Sequence, residues 1–154
     1  MTIEPGMTAP AFDMAADSGG HVSSAALKGK TVVLYFYPKA STPGCTTEAL
    51  DFTALGAEFA AANAVVVGVS RDPVKALDRF KTKQDLGVIL ASDEDGSVTE
   101  AYGVWGEKKL YGKVYMGIER ATFLIDAEGV VRQSWRKVAV KGHAQAVLNA
   151  VKSL

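Results

Sequence analysis

The sequence predicts an α/β fold built around a central sheet, and three observations carry this. Two apolar, β-branched runs, Thr31–Tyr37 and Ala64–Val69, read as strands buried on both faces, the kind found in sheets covered by helices on each side. Each run leads through a proline-marked loop into apolar residues at helical spacing: Phe52, Leu55 and Phe59 after the first, Val74, Leu77 and Phe80 after the second. Strand and helix then keep alternating, the pattern of a sheet layered with helices. The 154 residues, 48% apolar and 22% charged, suit one globular domain spanning 1–154.

Taken in order, Met1-Thr2-Ile3-Glu4-Pro5 has neither a basic segment nor an apolar stretch, so it does not read as a signal peptide. Phe12–Ala15 is a short strand, Asp17-Ser18-Gly19-Gly20 a turn, and His21-Val22 the returning strand, with His21 at the surface. Ser23-Ser24 caps one helical turn ending at Gly29. Pro38 stops the first buried strand, and Thr42-Pro43 reads as an N-cap followed by proline at the first helical position. Asp72 and Pro73 repeat that signal after the second strand. Arg71 has two readings, a residue lining the site or a loop arginine pairing with nearby carboxylates. Val88–Leu90 is a short strand. The Asp93-Glu94-Asp95-Gly96 turn lacks the ligand spacing of a calcium loop and reads as a solvated acidic turn. Ser97–Tyr102 is a short helix closed by Gly103. Thr122–Ile125 and Val130–Trp135 form a hairpin around Gly129, and residues 142–154 form a terminal helix with Val147, Leu148 and Val151 inward. His143 reads as a surface residue at that helix's start.

Several function classes drop out. Seventeen basic and seventeen acidic residues cancel, so no net charge points to nucleic acid or an anionic membrane. Lys108, Lys109 and Lys113 alternate with Tyr111 and Tyr115, but three lysines are too few for a single-strand binding groove. No apolar run approaches the ~20 residues of a membrane span. There is no phosphate-loop, dinucleotide or zinc signature, and one cysteine with two distant histidines offers no metal site, so no cofactor is expected.

The lone cysteine, Cys45, falls in the first turn of the helix that follows the first buried strand. A helix start carries unpaired N–H groups and partial positive charge, and both favour a thiolate, the nucleophilic form of a cysteine, over the thiol. The bland alternative is an inert cysteine packed as a small hydrophobe. The position argues against it, because open α/β folds bind ligands at strand–loop–helix junctions. One cysteine makes no internal disulfide, which fits a reducing compartment.

Pro38-Lys39-Ala40-Ser41-Thr42-Pro43-Gly44-Cys45 resembles the active-site motif of peroxiredoxins. Thr47 and Glu48 bring it closest to the bacterioferritin comigratory protein, or peroxiredoxin Q, subfamily. Ser70-Arg71-Asp72, the block Gly112–Arg120 and the run Thr122–Asp126 extend the likeness over nearly the whole chain. The resemblance implies a thioredoxin-like fold: a central mixed β-sheet flanked by helices, with an N-terminal β-hairpin extension and a surface loop over Trp105–Gly117. It implies a cytoplasmic antioxidant enzyme reducing hydrogen peroxide and organic hydroperoxides. Cys45 would attack the peroxide and become a sulfenic acid. Arg120 would hold the thiolate and stabilise the transition state, as an always-charged group with several fixed donors can. Thr42 would hydrogen-bond thiolate or peroxide, and Pro38 would shape the pocket, which Tyr37, Pro43, Gly44 and Glu48 line. Glu48 either orients Arg120 or complements the helix dipole.

Two departures stand out. Ala40 replaces an acidic residue frequent in the family. The family's resolving cysteine is also absent: one of its two usual positions is Leu50, and the other aligns with Lys81. The chain is thus expected to be a one-cysteine enzyme, monomeric or weakly dimeric, needing an external thiol such as thioredoxin, glutaredoxin or glutathione; a second subunit's Cys45 is the other route to a disulfide. A thiol-based redox sensor and a non-enzymatic thioredoxin-like binding module are the competing readings.

Overall fold

The structure, a computed structural model, describes residues 3–154; Met1 and Thr2, with the first part of the supposed leader-free start, lie outside it. Nine strands form: β1 (Asp13–Ala16), β2 (His21–Ser23), β3 (Thr31–Phe36), β4 (Ala64–Ser70), β5 (Ile89–Ser92), β6 (Trp105–Leu110), β7 (Lys113–Ile118), β8 (Ala121–Ile125) and β9 (Val131–Trp135). Five α-helices accompany them: α1 (Pro43–Ala54), α2 (Gly56–Ala61), α3 (Val74–Gln84), α4 (Ser97–Ala101) and α5 (His143–Lys152). Seven strands make one mixed sheet in the order β2-β1-β5-β4-β3-β8-β9.

The two continuous apolar runs lie at its centre. β3 and β4 pair in parallel from Thr31↔Ala64 to Phe36↔Val69, β5 joins β4 in parallel, and β8 runs antiparallel to β3. Side chains alternate between the faces. Val33, Tyr35 and Tyr37 pack with Phe52, Phe59, Leu77, Phe80 and Val147 on one side. Val32, Leu34 and Phe36 pack with Tyr102, Val104 and Phe123 on the other. Tyr35 stands opposite Gly68, where a Cβ would come within 2.6 Å of the ring. Glycine is what lets a tyrosine lie flat across the centre of the sheet.

The N-terminal hairpin extends the main sheet, because β1 pairs with β5 as well as with β2. Asp17, at the hairpin's turn, is buried and accepts hydrogen bonds from Lys81 Nζ (2.9 Å) and Leu90 N–H (2.7 Å). Burial works to raise its pKa, but these donors outweigh it and hold the carboxyl below the usual range.

Several local expectations shift. Residues 24–29 are turns rather than a helical turn, although Ser23 Oγ accepts from Ala26 N–H as a cap would. The helix carrying Cys45 breaks at Leu55, so Phe59 belongs to α2. Pro73, not Asp72, precedes α3, because the Asp72 carboxylate is taken by Ser70 Oγ (2.7 Å) and Ala40 N–H (2.8 Å). The acidic turn is not simply solvated: Asp93 is buried and accepts from Val98 and Thr99 N–H at the start of α4. Trp105–Gly117 is no loop. It is a two-stranded antiparallel hairpin turning at Tyr111-Gly112, both with positive φ.

Candidate active site

The loop after β3 delivers the chain into α1 so that Pro43, Gly44 and Cys45 are its first three residues. Thr42 stands at the N-cap in extended conformation, as expected, but makes no side-chain cap bond. Its hydroxyl donates to the Lys39 carbonyl (2.7 Å), and no hydrogen bond joins it to Cys45. Lys39 accepts because the loop folds back on itself there. Ala40 N–H is held by Asp72, so the loop is tied through its backbone where the family's acidic side chain is missing.

Arg120 lies between β7 and β8. Its neighbour Glu119 is locked by Arg136 (2.7 Å), and its own carbonyl accepts from Val138 N–H. Thus fixed, the guanidinium spans two partners: Nη2 donates to Cys45 Sγ at 3.4 Å and Nη1 to Glu48 Oε1 at 2.7 Å. Cys45 is 2% exposed and Glu48 1%. Gly44 faces the same guanidinium; a Cβ there would sit 3.2 Å from Nη2.

Burial pushes the Glu48 carboxyl up to about 7, against the pull of Arg120 and with a small push from Asp51. Glu48 is therefore poised near neutral pH. When it ionises, Arg120 is shared between carboxylate and sulfur; when it is protonated, the guanidinium's charge faces the sulfur alone. Among the described residues, Glu48 Oε2 and the Tyr35 and Tyr37 hydroxyls have no hydrogen-bond partner. Burial raises both the Tyr35 and Tyr37 phenols, so they stay un-ionised. Tyr37 is fully buried, so it backs the loop from beneath instead of lining an open pocket. Pro38 is half-buried, and Pro43 and Gly44 are exposed at the mouth.

Among the described residues, Arg71 pairs with no carboxylate. Its Nε donates to Thr99 Oγ1 and Nη2 to the Gly96 carbonyl, and its guanidinium lies 3.4 Å over the Trp105 ring. His21 is at the surface, paired with Asp13. No group of His, Cys, Asp or Glu among the described residues is arranged to hold a metal ion.

His143 overturns its reading. It is buried, shares a 2.7 Å hydrogen bond with Thr122 Oγ1, and meets Phe52 and Trp135 edge-on. Burial, helped by Arg120's charge, pushes its pKa down to about 4. A depressed histidine pKa stabilises the fold above the unfolded value, ~6.5, and loses that contribution as pH falls toward the folded one. Glu48, with its raised pKa, works in the opposite sense. We therefore expect the parent's Tm to fall more steeply between pH 6.5 and 4 than that of His143→Gln. Thermal melts at pH 7 and 4.5 check this, and parallel slopes would exclude His143 as the source.

Residues 5–134 match the AhpC/TSA family. The chain is similar to peroxiredoxin Bcp of Bacillus subtilis, 48% identical over 154 residues, covering 100% of this chain and 98% of that protein. It is similar to a putative peroxiredoxin bcp of Coxiella burnetii, 50% identical over 148 residues, covering 96% and 98%. Among solved structures, the Xanthomonas campestris bacterioferritin comigratory protein, studied for alkyl peroxide reduction, superposes with a TM-score of 0.89 at 48% identity, covering 99% of this chain and 97% of that one.

Proposed function

Because this chain belongs to the AhpC/TSA family and is a thiol-dependent peroxidase of the peroxiredoxin type with a thioredoxin-like fold, we propose that Cys45 is its peroxidatic nucleophile and Arg120 its electrostatic partner. The carrying observation is the fork of Arg120 between Cys45 Sγ and the buried Glu48.

The thiolate attacks one peroxide oxygen. The S–O bond forms, the O–O bond breaks, and the departing oxygen leaves as water or an alcohol once protonated, with Cys45 left as a sulfenic acid. Arg120 and the free N–H groups of the helix start offset the charge that moves from sulfur to the departing oxygen. Glu48 keeps the guanidinium in its plane. Thr42, whose hydroxyl donates to the Lys39 carbonyl, still has lone pairs with which to accept the peroxide's O–H. Pro38, Pro43 and Gly44 frame the opening, and Tyr37 supports the loop from below. The near-complete burial of Cys45 favours hydrogen peroxide and small organic hydroperoxides as substrates.

With one cysteine, the sulfenic acid needs a thiol from outside the chain. We take residues 1–154 as one catalytic domain, since the first strands, β1 and β2, and the last, β9, lie at the two edges of one sheet. We read its working unit as a monomer or weak dimer and its setting as a cytoplasm that keeps thiols reduced. Among the described residues no helix is long and apolar enough to cross a membrane.

The test is intact-mass measurement after one equivalent of hydrogen peroxide. We expect a gain of one oxygen on Cys45 or an intermolecular disulfide, further oxygens with excess peroxide, and steady turnover only with added thiol. No oxygen adduct and no disulfide would overturn the assignment. A lasting sulfenic acid that thioredoxin, glutaredoxin and glutathione all leave unreduced would instead make the protein a redox sensor.

A further inference from the structure

The hairpin of β6 and β7 stands outside the seven-stranded sheet and displays apolar side chains on both faces. Of the seven large apolar side chains exposed among the described residues, five lie on it: Leu110, Tyr111, Val114, Tyr115 and Met116, with Tyr111 at the tip 96% exposed. The cross-strand register sets a lysine beside three of them: Lys108 opposite Tyr115, Lys109 opposite Val114, and Lys113 opposite Leu110. The three lysines outnumber the hairpin's one carboxylate, Glu107, while the chain as a whole carries no net charge, so the hairpin is locally cationic. An apolar surface of this extent on a protein marks a binding face.

Its position relative to the reacting groups is close. A groove of about 390 Å³ separates the hairpin from the catalytic loop, with Pro38, Lys39 and Arg71 on one side and Tyr115 and Met116 on the other. On the loop wall, the Lys39 carbonyl accepts from the hydroxyl of Thr42, three residues before Cys45. The hairpin wall ends at Ile118, two residues before Arg120.

We propose that this face docks a protein dithiol whose own contact surface carries carboxylates around an apolar centre. The proposal rests on the peroxidase reading of Cys45. In the step it serves, one thiol of the partner attacks the Cys45 sulfenic sulfur. A mixed disulfide forms, and the sulfenic oxygen leaves as water with the thiol's proton. The partner's second thiol then displaces Cys45, which returns as a thiol while the partner keeps the disulfide. The apolar side chains on both hairpin faces and at its tip extend beyond what a small thiol in the groove would cover. A second copy of this chain in a two-fold pair would bring the same lysines face to face, so the charge argues for an acidic partner.

The experiment pairs Lys109→Glu/Lys113→Glu and, separately, Met116→Gln with the parent. Turnover is driven either by an acidic bacterial thioredoxin with its reductase and NADPH or by dithiothreitol. Oxidation of Cys45 by one equivalent of peroxide is read independently by mass. We expect KM for thioredoxin to rise at least tenfold in the charge-reversed protein and severalfold in Met116→Gln. The parent's kcat/KM should fall with salt while the charge-reversed protein's does not. Dithiothreitol-driven turnover and Cys45 oxidation stay at parental rates. If the parent is oxidised but its KM for thioredoxin matches that of both variants, the docking proposal is overturned alone. The same holds if dithiothreitol but not thioredoxin reduces the parent, or if the parent is a dimer that the substitutions dissociate. A parent that peroxide does not oxidise overturns the peroxidase reading and the docking proposal together.

Discussion

Cys45→Ser should reduce peroxide consumption to the uncatalysed background while the protein still melts cooperatively near the parental temperature. The exchange replaces sulfur by oxygen at nearly the same place, 2% exposed and beside Arg120 Nη2. A serine hydroxyl is not ionised near neutral pH and has no general base aimed at it here, so it does not replace the thiolate as a nucleophile. The buried hydroxyl keeps Arg120 as a hydrogen-bond partner, which limits the stability cost to about 1–2 kcal/mol. A peroxide-consumption assay beside a thermal melt reads both effects. Parental activity in the serine protein would remove Cys45 from the mechanism, and a collapsed fold would make its loss of activity uninformative.

Arg120→Met should slow sulfenic acid formation by roughly two to three orders of magnitude, the scale for losing one donor aimed at developing charge. Stopped-flow mixing with hydrogen peroxide measures it, and a parental rate would leave Arg120 a structural residue. The same change strands Glu48, which is 1% exposed and ion-paired only with Arg120. A carboxyl whose folded pKa lies above its unfolded value adds stability below the unfolded value, ~4.3, and loses it as pH rises through the folded one. That pKa is about 7 already in the parent, and removing the guanidinium takes away what holds it down. The Tm deficit of Arg120→Met should accordingly be larger at pH 8 than at pH 5. Adding Glu48→Gln to the Arg120→Met protein should remove the share of the pH dependence that Glu48 supplies, leaving that of His143, without restoring the rate. This separates Arg120's part in holding the fold from its part in catalysis.

The core was legible because its signal is continuous. Thr31–Tyr37 and Ala64–Val69 are almost unbroken apolar runs rich in β-branched residues, the pattern of a strand covered on both faces. Cys45 was legible because proline after a threonine marks a helix start whatever bond the threonine goes on to make. Glu48 had two readings, and the fork with Arg120 selects the first. The misread features depend on contacts distant in sequence. His143 takes its surroundings from Phe52, Thr122 and Trp135, and nothing in its local sequence announces them. Asp72 looked like a helix cap until Ala40, 32 residues away, claimed its carboxylate. The β6–β7 hairpin was hidden by its composition, with lysines in its strands and Tyr-Gly at a turn where Asn-Gly or Asp-Gly is the strong signal.

The pairing of Lys81 with Asp17 makes the one-cysteine state hard to reverse. By the chain's resemblance to peroxiredoxin Q, position 81 is one of the two where a resolving cysteine is expected, and here the Lys81 ammonium caps a buried carboxylate that also holds the Leu90 N–H. Writing cysteine back at 81 would leave that carboxylate buried without its cation, a loss of the kind that costs a protein a few kcal/mol. The return path therefore passes through a less stable protein unless Asp17 changes as well. Leu50, exposed on α1 and tied to nothing comparable, carries no such toll. A lineage regaining a second thiol would find position 50 open and position 81 entrenched.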